Sequence, residues 1–449
     1  MASLSGEPPV ESSANSGSGR LYYVETYGCQ MNVADSELIG GVLGRVGYRA
    51  TDTPELADVI LLNTCAIREH AGQRVAQRVR QLIAARGRGS RARIGLAGCM
   101  VQHYRDRLLD TIPGLDFVVG PDGYRRLPEL IDADEPVAEV RLDRSETYED
   151  LTPVRGDGVR AWLTIMRGCN RFCTFCVVPY VRGRERSLPA DVIVSELEQV
   201  AAQGFREVVL LGQTVNAYRH ERVDFGALLR MCSEVEGIER VRFTSPHPAD
   251  MADSTVEAMR DCDAVSPYLH LPVQSGSDRM LAAMDRGHTV DEYRDLVRRL
   301  RDAVPDLALS TDIIVGYPGE TEADFEATSR LMTEIGYDHA FMFKYSRREA
   351  TRAHKIEETV SEEEKGQRLR RLIAEQVERA GRINQRAVGS VTAVLVESLA
   401  KKQSGWLGGK NPQFKTVVFE PAGAVVGETV PVLVESAGSH TLRGRQIAA

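Results

Sequence analysis

The sequence predicts an α/β protein with an N-terminal open parallel sheet, a partial (β/α)6 barrel and a small C-terminal antiparallel β-barrel. Three observations predict this fold. Apolar strands alternate with helices over residues 21–145, six further strand–helix units follow over 155–388, and short strands between glycine-rich turns fill 389–449. Continuous apolar strands separated by helices are typical of parallel sheets that are covered on both faces. Residues 1–20 are rich in Gly, Ser, Pro and Glu, which predicts a disordered tail.

The N-terminal part contains four predicted strands with helices between them. The strands are 21–26, 58–63, 93–97 and 117–119, and the helices cover 33–45, a long segment that ends near 86, and 103–109. Cys29, Cys65 and Cys99 each stand where one of the first three strands gives way to a helix. The carboxyl ends of parallel strands meet along one edge of an open sheet, so we expect these thiols to converge on a cluster site that is one ligand short. The alternative is three buried core cysteines.

The middle part is predicted to be a barrel of parallel strands. Its strands are 162–166, 208–211, 241–244, 268–271, 309–315 and 340–344, with helices such as 191–203 and 322–335 between them. Functional residues of such barrels lie at the carboxyl ends of the strands. Six units rather than eight leave the barrel incomplete, and the gap in its wall would admit a large substrate.

A loop after the first barrel strand carries Cys169, Cys173 and Cys176, with gaps of three and two residues between them. A structural zinc site needs four ligands, usually as paired Cys-x-x-Cys units, and a ferredoxin cluster needs four cysteines. Three cysteines at this spacing suit a [4Fe-4S] cluster with one iron open to a substrate or cosubstrate. The alternative is a metal staple with a distant fourth ligand. The other two cysteines, Cys232 and Cys262, are interpreted as structural thiols.

Composition predicts a soluble, cytoplasmic protein. Of its 449 residues, 43% are hydrophobic and 27% are charged, which is ordinary for a globular chain. The sequence has no apolar run near the roughly 20 residues of a membrane span and no secretory signal, so we expect no membrane contact. The eight cysteines are therefore expected to be reduced thiols or metal ligands.

The C-terminal segment differs electrostatically from the rest of the chain. The net charge of the chain is −8, but residues 389–449 carry an excess of two positive charges. Strands predicted at 391–396, 414–419 and 430–434 are typical of small barrels that bind oligonucleotides. We expect this segment to contact RNA phosphates through the following side chains, although such a charge excess is also common on a solvated surface: Lys401, Lys402, Lys410, Lys415, Arg443 and Arg445.

The pattern Cys-x-x-x-Cys-x-aromatic-Cys, with Phe175 in the aromatic position, resembles the radical S-adenosylmethionine enzymes. In that family S-adenosylmethionine chelates the open iron and is cleaved reductively to methionine and a 5′-deoxyadenosyl radical. With the first cysteine trio and the C-terminal barrel included, the chain resembles the methylthiotransferases. Their N-terminal domain would be 21–145, their radical S-adenosylmethionine barrel 155–388 and their TRAM domain 389–449.

Three local sequences resemble the branch that modifies N6-(dimethylallyl)adenosine in tRNA. They are Tyr27–Asn32, Asn63–Glu69 and Cys176–Glu185. The resemblance implies a transferase that converts N6-(dimethylallyl)adenosine at tRNA position 37 to its 2-methylthio derivative, with two [4Fe-4S] clusters, one on each cysteine trio. One S-adenosylmethionine would methylate sulfur presented by the first trio, and another would supply the radical that takes hydrogen from C2. The base must leave its stack to react.

The resemblance also implies partners, and the predicted barrel offers further candidate site residues. The partners are the anticodon stem-loop of tRNA and a reducing protein such as flavodoxin or ferredoxin; the sequence names no sulfur donor. Polar residues at the carboxyl rim of the barrel are candidates for binding S-adenosylmethionine or the base, or else they cap loops. They are Gln213, Asn216, His270, Gln274, Ser275, Thr311 and Asp312.

One stretch departs from the family pattern. Arg347–Ala350 follows a Tyr-Ser pair where the family commonly shows Pro and Gly. Because of this departure, the family pattern does not predict the conformation of the local turn. The two arginines also add positive charge near the barrel mouth.

Other functions agree less well with the sequence. Two related branches, which act on threonylcarbamoyl-adenosine in tRNA and on a ribosomal protein, usually differ after the first and second cysteines. A non-catalytic iron–sulfur electron carrier or a zinc-stabilised RNA-binding protein would need a fourth ligand, and both trios lack one.

Overall fold

The computed structural model describes residues 19–66, 69–86, 92–156 and 158–448. The chain divides into two compact units: Met1–Asp157 with Val177–Arg186, and Gly158–Cys176 with Ser187–Ala449. The segment Val177–Arg186 thus groups with the N-terminal unit, although the predicted domain limits assign it to the barrel. Most of the predicted tail, residues 1–18, lies outside the described residues. In the described part of the chain, no helix has the length and apolar character that crossing a membrane requires.

The first unit contains a six-stranded parallel sheet in the order β2-β1-β3-β4-β5-β6. Its strands are β1 (Leu21–Tyr27), β2 (Arg49–Ala50), β3 (Val59–Thr64), β4 (Arg93–Gly98), β5 (Phe117–Val119) and β6 (Val137–Glu139). Its helices are α1 (Gln30–Arg45), α2 (Glu69–Ala85), α3 (Cys99–Tyr104), α4 (Arg107–Thr111), α5 (Leu127–Ile131) and α6 (Val178–Arg182). Every residue of β3 is buried, as expected for a strand that helices cover on both faces. The four predicted strands are present, whereas β2 and β6 are too short for periodicity to predict.

The second unit begins with the partial barrel. Its main strands are β7 (Arg160–Thr164), β10 (Glu207–Leu211), β13 (Arg240–Phe243), β14 (Tyr268–His270), β15 (Ala308–Val315) and β16 (His339–Lys344). Short strands in the connections are β8 (Met166–Arg167), β11 (Arg219–His220) and β12 (Val223–Asp224), and β9 (Arg186–Ser187) stands where the chain passes from the first unit back to the second. The helices are α7 (Ala190–Ala202), α8 (Phe225–Ser233), α9 (Asp253–Asp261), α10 (Asp278–Ala283), α11 (Val290–Ala303), α12 (Glu322–Ile335) and α13 (Glu362–Gln385).

The six main strands are arranged as two parallel three-stranded sheets, β13-β10-β7 and β14-β15-β16. A parallel bridge between Val241 and Val265 links the two sheets. β7 and β16 are the outer strands of this arrangement. The predicted partial (β/α)6 barrel is therefore confirmed.

The C-terminal segment forms a closed five-stranded barrel, as predicted. Its strands are β17 (Val391–Leu399), β18 (Leu407–Lys410), β19 (Thr416–Glu420), β20 (Thr429–Ala437) and β21 (Thr441–Gln446). Strands β18 and β21 were not predicted from the sequence, because their glycines suggest turns. A Cβ at Gly409 would lie 2.0 Å from the carbonyl oxygen of Leu395, so this glycine permits a close approach of neighbouring strands.

The C-terminal barrel packs against the amino ends of the main barrel strands, opposite the end that carries the three-cysteine loop. The carboxylate of Glu207 is fully buried, and Arg242 donates to it at 2.9 Å. The same guanidinium donates to the carbonyl oxygens of Asn411 and Pro412 at 2.9 and 2.8 Å and lies 4.8 Å from the centre of the Phe414 ring. A buried cation with several acceptors thus joins the two barrels.

Two of the predicted RNA-binding lysines are part of this junction. The Nζ of Lys415 lies 2.8 Å from Asp338 Oδ1, and the Nζ of Lys410 lies 4.7 Å from the centre of the Phe414 ring. Lys401 and Lys402 are exposed. The structure therefore restricts the prediction of lysine–phosphate contacts to the exposed pair, because Lys415 is paired with Asp338 and the Lys410 ammonium lies against Phe414 and donates to Thr416.

Candidate functional site

The first cysteine trio lies at the carboxyl edge of the N-terminal sheet. Cys29 precedes α1, Cys65 follows β3, and Cys99 begins α3 directly after β4. Cys65 and Cys99 are buried, and Cys29 is half-buried. A hydrogen bond from the Cys65 side chain is the main cause that lowers the pKa of Cys29 to about 6, and the charge of Arg182 acts in the same direction. The structure thus brings the strand-end thiols together around one cation.

Two buried asparagines fix the loops that carry these thiols. The Asn63 side chain donates to the carbonyl oxygen of Asn32 at 2.8 Å, and the Asn32 side chain accepts from the backbone N–H of Cys29 at 3.2 Å. Gly98 is held at a φ of 95°, and a Cβ there would lie 2.5 Å from Asn63 Oδ1. The tight turn before Cys99 therefore requires glycine.

Arg182 completes this site and was not predicted from the sequence. Its Nε donates to Cys99 Sγ at 2.9 Å, and its Nη2 lies 2.6 Å from Asp35 Oδ2. The hydroxyl of Tyr124 donates to the same carboxylate at 3.2 Å. Burial raises the pKa of Cys99, and the Arg182 charge opposes that effect.

The second trio lies on the loop after β7 and β8. Cys169 and Cys173 are buried, and Cys176 is half-buried. Cys169 Sγ lies 3.0 Å from Thr214 Oγ1 and accepts from the backbone N–H of Arg171 at 3.3 Å. Arg286 donates to Cys173 Sγ at 3.3 Å and to the carbonyl oxygen of Pro272 at 2.8 Å. Neither Thr214 nor Arg286 was predicted; Thr214 adjoins the candidate Gln213, whereas the sequence gives no signal for Arg286.

Hydrogen bonds to other barrel loops fix the shape of the three-cysteine loop. The hydroxyl of Thr174 lies 2.7 Å from that of Tyr317 and donates to the carbonyl oxygen of Ala283 at 3.0 Å. Arg171 Nε donates to Asp250 at 2.8 Å. The protein's own hydrogen bonds therefore hold the loop in position.

Three of the predicted cofactor-binding residues, which lie on or just after barrel strands, either have unpaired polar atoms among the described residues or form a polar pair. Both polar atoms of the Gln213 side chain are buried without a hydrogen-bond partner in the described part of the chain. His270 Nδ1 lies 2.8 Å from Ser310 Oγ, and its Nε2 lies 3.3 Å from Asp312 Oδ2. A buried, unpaired amide is costly, so Gln213 is a strong candidate for a ligand contact.

The other candidates already have protein partners. The Asn216 amide pairs with the backbone of His247 at 2.8 and 2.9 Å. Thr311 Oγ1 donates to Leu271, and Ser275 Oγ lies 3.2 Å from the Thr328 hydroxyl. The backbone of Gln274 extends the pairing of β15, with a φ of 76°. Direct contact of these four residues with a cofactor stays a prediction. Their observed hydrogen bonds connect the loops at the carboxyl end of the barrel.

The stretch Arg347–Ala350, which differs from the family pattern, still forms a tight turn. Ala350 has a φ of 68°, which is left-handed and favours glycine. Arg347 Nε donates to the carbonyl oxygen of His354 at 2.7 Å. The turn thus forms without the glycine that the family pattern commonly has.

Both trios have donor sets that fit iron–sulfur clusters. Cluster ligands are thiolates, and a neighbouring cation favours that form. Each trio has one: Arg182 at Cys99 and Arg286 at Cys173. Among the described residues, no group of three Cys, His, Asp or Glu side chains is arranged to hold a single metal ion. A [4Fe-4S] cluster binds each thiolate at a different iron, so its ligands stand farther apart than those of one ion.

Comparison with protein families identifies two regions. Residues 163–332 match the radical SAM superfamily, and residues 21–120 match the uncharacterized protein family UPF0004. The first match contains the Cys169 loop, and the second contains Cys29, Cys65 and Cys99. Each cysteine trio therefore lies in a region that matches a different family.

Curated relatives match nearly the whole chain. A tRNA-2-methylthio-N(6)-dimethylallyladenosine synthase from Stenotrophomonas maltophilia is 43% identical over 440 residues, which are 96% of this chain and 93% of the relative. Proteins of the same name from Bacteroides thetaiotaomicron and Chlorobium phaeovibrioides are 43% and 44% identical. They cover 97% and 95% of this chain, and 98% and 96% of their own lengths.

Solved structures show a similar fold. The radical S-adenosylmethionine methyltransferase TsrM from Kitasatospora setae, with cobalamin and a [4Fe-4S] cluster bound, aligns with a TM-score of 0.56 over 86% of this chain and 81% of its own. Another structure of that enzyme, with tryptophan and a SAM analogue, gives a TM-score of 0.53 and covers 72% of each chain. The identities are 12% and 14%, so this likeness concerns the fold.

Proposed function

Because the chain belongs to the family of tRNA-2-methylthio-N6-dimethylallyladenosine synthases, we propose that each of its cysteine trios holds one of the two [4Fe-4S] clusters that this reaction uses. The cluster that binds and cleaves S-adenosylmethionine is assigned to Cys169, Cys173 and Cys176. The auxiliary cluster is assigned to Cys29, Cys65 and Cys99.

The enzyme is a radical S-adenosylmethionine transferase that converts N6-(dimethylallyl)adenosine at tRNA position 37 to its 2-methylthio derivative. When bound, the clusters and S-adenosylmethionine supply the radical that opens the C2–H bond and the sulfur that replaces the hydrogen. The observation that carries the assignment of ligands is that each trio has a buried arginine bonded to one of its sulfurs. Positive charge beside the sulfurs stabilises thiolate ligands.

The protein's own side chains prepare the barrel site. Thr214 and the backbone N–H of Arg171 hold the Cys169 sulfur, and Arg286 ties Cys173 to the strand end at Pro272. Gln213 offers an unpaired amide at the same rim. We assign Gln213 to S-adenosylmethionine, because a polar cosubstrate would satisfy its buried donor and acceptor.

Partners follow from the reaction. The tRNA is the substrate, and we infer that its anticodon stem-loop is the part that enters the barrel mouth. Reductive cleavage needs an electron donor, for which a protein such as flavodoxin or ferredoxin is suited. Since tRNA is the substrate, we place the enzyme in the cytoplasm.

Mass spectrometry of tRNA nucleosides tests this function. A strain that lacks the gene should accumulate N6-(dimethylallyl)adenosine and contain no 2-methylthio derivative, and the intact gene should restore it. A variant with Cys169, Cys173 and Cys176 changed to Ala should fail to restore it, whereas a Cys232→Ala variant should succeed. Normal methylthio product in the deletion strain would refute the function.

A further inference from the structure

Strand β16 carries two phenylalanine side chains that are nearly half exposed. Phe341 is 45% and Phe343 is 47% exposed. Successive side chains of a strand point to opposite faces. Their neighbours Ala340 and Met342 pack in the hydrophobic core of the barrel wall, so the two phenylalanines project from the other face, into the barrel interior.

The register of β16 places these rings beside polar groups. Asp312 is the cross-strand neighbour of Phe341, and Ile314 is that of Phe343. The centre of the Phe341 ring lies 5.7 Å from that of His270, which is itself paired with Asp312 at 3.3 Å. This part of the inner wall therefore combines apolar aromatic surface with a hydrogen-bonding pair.

The position of β16 makes this surface accessible to a large substrate. In the described sheets β16 pairs with β15 alone, so it borders the open side of the partial barrel. Phe343 lies two residues nearer than Phe341 to the carboxyl end of the strand, which is the end of the barrel that carries the Cys169 loop. A base that enters from the open side would meet these rings on its way to that loop.

The substrate has matching chemistry. Its purine ring can stack on aromatic side chains, as unstacked RNA bases do in protein sites, and its N6 substituent is a branched apolar chain. Exposed apolar surface inside a concave site is a mark of ligand binding. Ring nitrogens of the base could bond to the His270–Asp312 pair.

We propose that Phe341 and Phe343 form the surface that binds the N6-dimethylallyl-adenine group and distinguishes it from unmodified adenine. This inference rests on the proposed function and names the residues that recognise its substrate. Both residues bind the flipped-out base; neither takes part in electron transfer or in cleavage of S-adenosylmethionine.

Binding of paired RNAs to the enzyme with both clusters and S-adenosylmethionine tests the proposal. The two anticodon stem-loops are identical except that position 37 is adenosine or N6-(dimethylallyl)adenosine. Wild-type enzyme should prefer the prenylated RNA. Phe341→Ala and Phe343→Ala should each reduce this preference at least about fivefold, the lower end of the effect of removing a stacking aromatic residue. Phe341→Leu should retain more of the preference than Phe341→Ala.

Controls separate recognition from folding and from cofactor binding. Ile373→Ala, which removes an apolar side chain that is 42% exposed on the outer helix α13, should leave the preference unchanged. Cleavage of S-adenosylmethionine without RNA should be unchanged in the phenylalanine variants. An unchanged preference in both phenylalanine variants, or lost cleavage without RNA, would overturn the proposal. Failure of wild-type enzyme to make any methylthio product would refute the proposed function instead.

Discussion

The guanidinium of Arg182 lies 2.6 Å from a carboxylate oxygen of Asp35, and the two side chains are 3% and 0% exposed. Arg182 also donates to Cys99 Sγ at 2.9 Å. The ion pair thus lies directly beside the candidate auxiliary cluster. One residue serves both to neutralise a buried carboxylate and to position a cysteine.

Replacing Arg182 with Met should destabilise the first unit strongly. It would leave the buried Asp35 carboxylate without its arginine counter-ion, which costs about 3–5 kcal/mol. Chaotrope unfolding followed by circular dichroism measures this loss. The double variant Arg182→Met/Asp35→Asn should recover part of it, because the uncompensated charge is gone.

The exposed Arg144 of the first unit provides the matched control. Arg144→Met should change the free energy of unfolding by less than about 1 kcal/mol. Equal losses in the two arginine variants would contradict the role given to the Arg182–Asp35 pair.

Ala350→Gly should stabilise the protein. The left-handed φ of 68° at Ala350 costs an L-residue about 1–2 kcal/mol, and the greater chain entropy of unfolded glycine offsets part of the gain. We expect a net stabilisation of about 0.5–1 kcal/mol in chaotrope unfolding. Ala374→Gly, in the exposed middle of α13, should instead lose about 1 kcal/mol. A loss in both variants would show that the turn does not strain Ala350.

Exposed lysines of the C-terminal barrel should contribute to tRNA binding, whereas Lys415, which is paired with Asp338, should not. Lys401→Ala/Lys402→Ala should weaken binding and shallow its salt slope by about 0.7–0.9 for each phosphate that is no longer neutralised. Lys415→Ala should lower stability by removing the pair with Asp338 and should leave the slope unchanged. Titrations at several salt concentrations compare the two. A shallower slope for Lys415→Ala alone would reverse this assignment.

The fold was largely predictable because its strands are buried on both faces, as the fully buried β3 illustrates. The convergence of Cys29, Cys65 and Cys99 was also predictable, since parallel strand ends share an edge. The pairing of Arg182 with Asp35 was not, because it joins residues far apart in sequence and no local pattern encodes it. Lys415 likewise appears as surface charge in the sequence, although it forms an internal ion pair.

Two separate clusters should do different work in this enzyme, and paired triple variants test this division most directly. Each variant replaces one trio with Ala and is reconstituted anaerobically; iron, 5′-deoxyadenosine and methylthio product are then measured in the same sample. Both variants should keep about half of the iron. The Cys29/Cys65/Cys99 variant should still form 5′-deoxyadenosine but no methylthio product, because the barrel loop holds its own cluster, whereas the Cys169/Cys173/Cys176 variant should form neither. A folded Cys29/Cys65/Cys99 variant that keeps half of its iron yet cannot cleave S-adenosylmethionine, or that still makes methylthio product, would contradict the account.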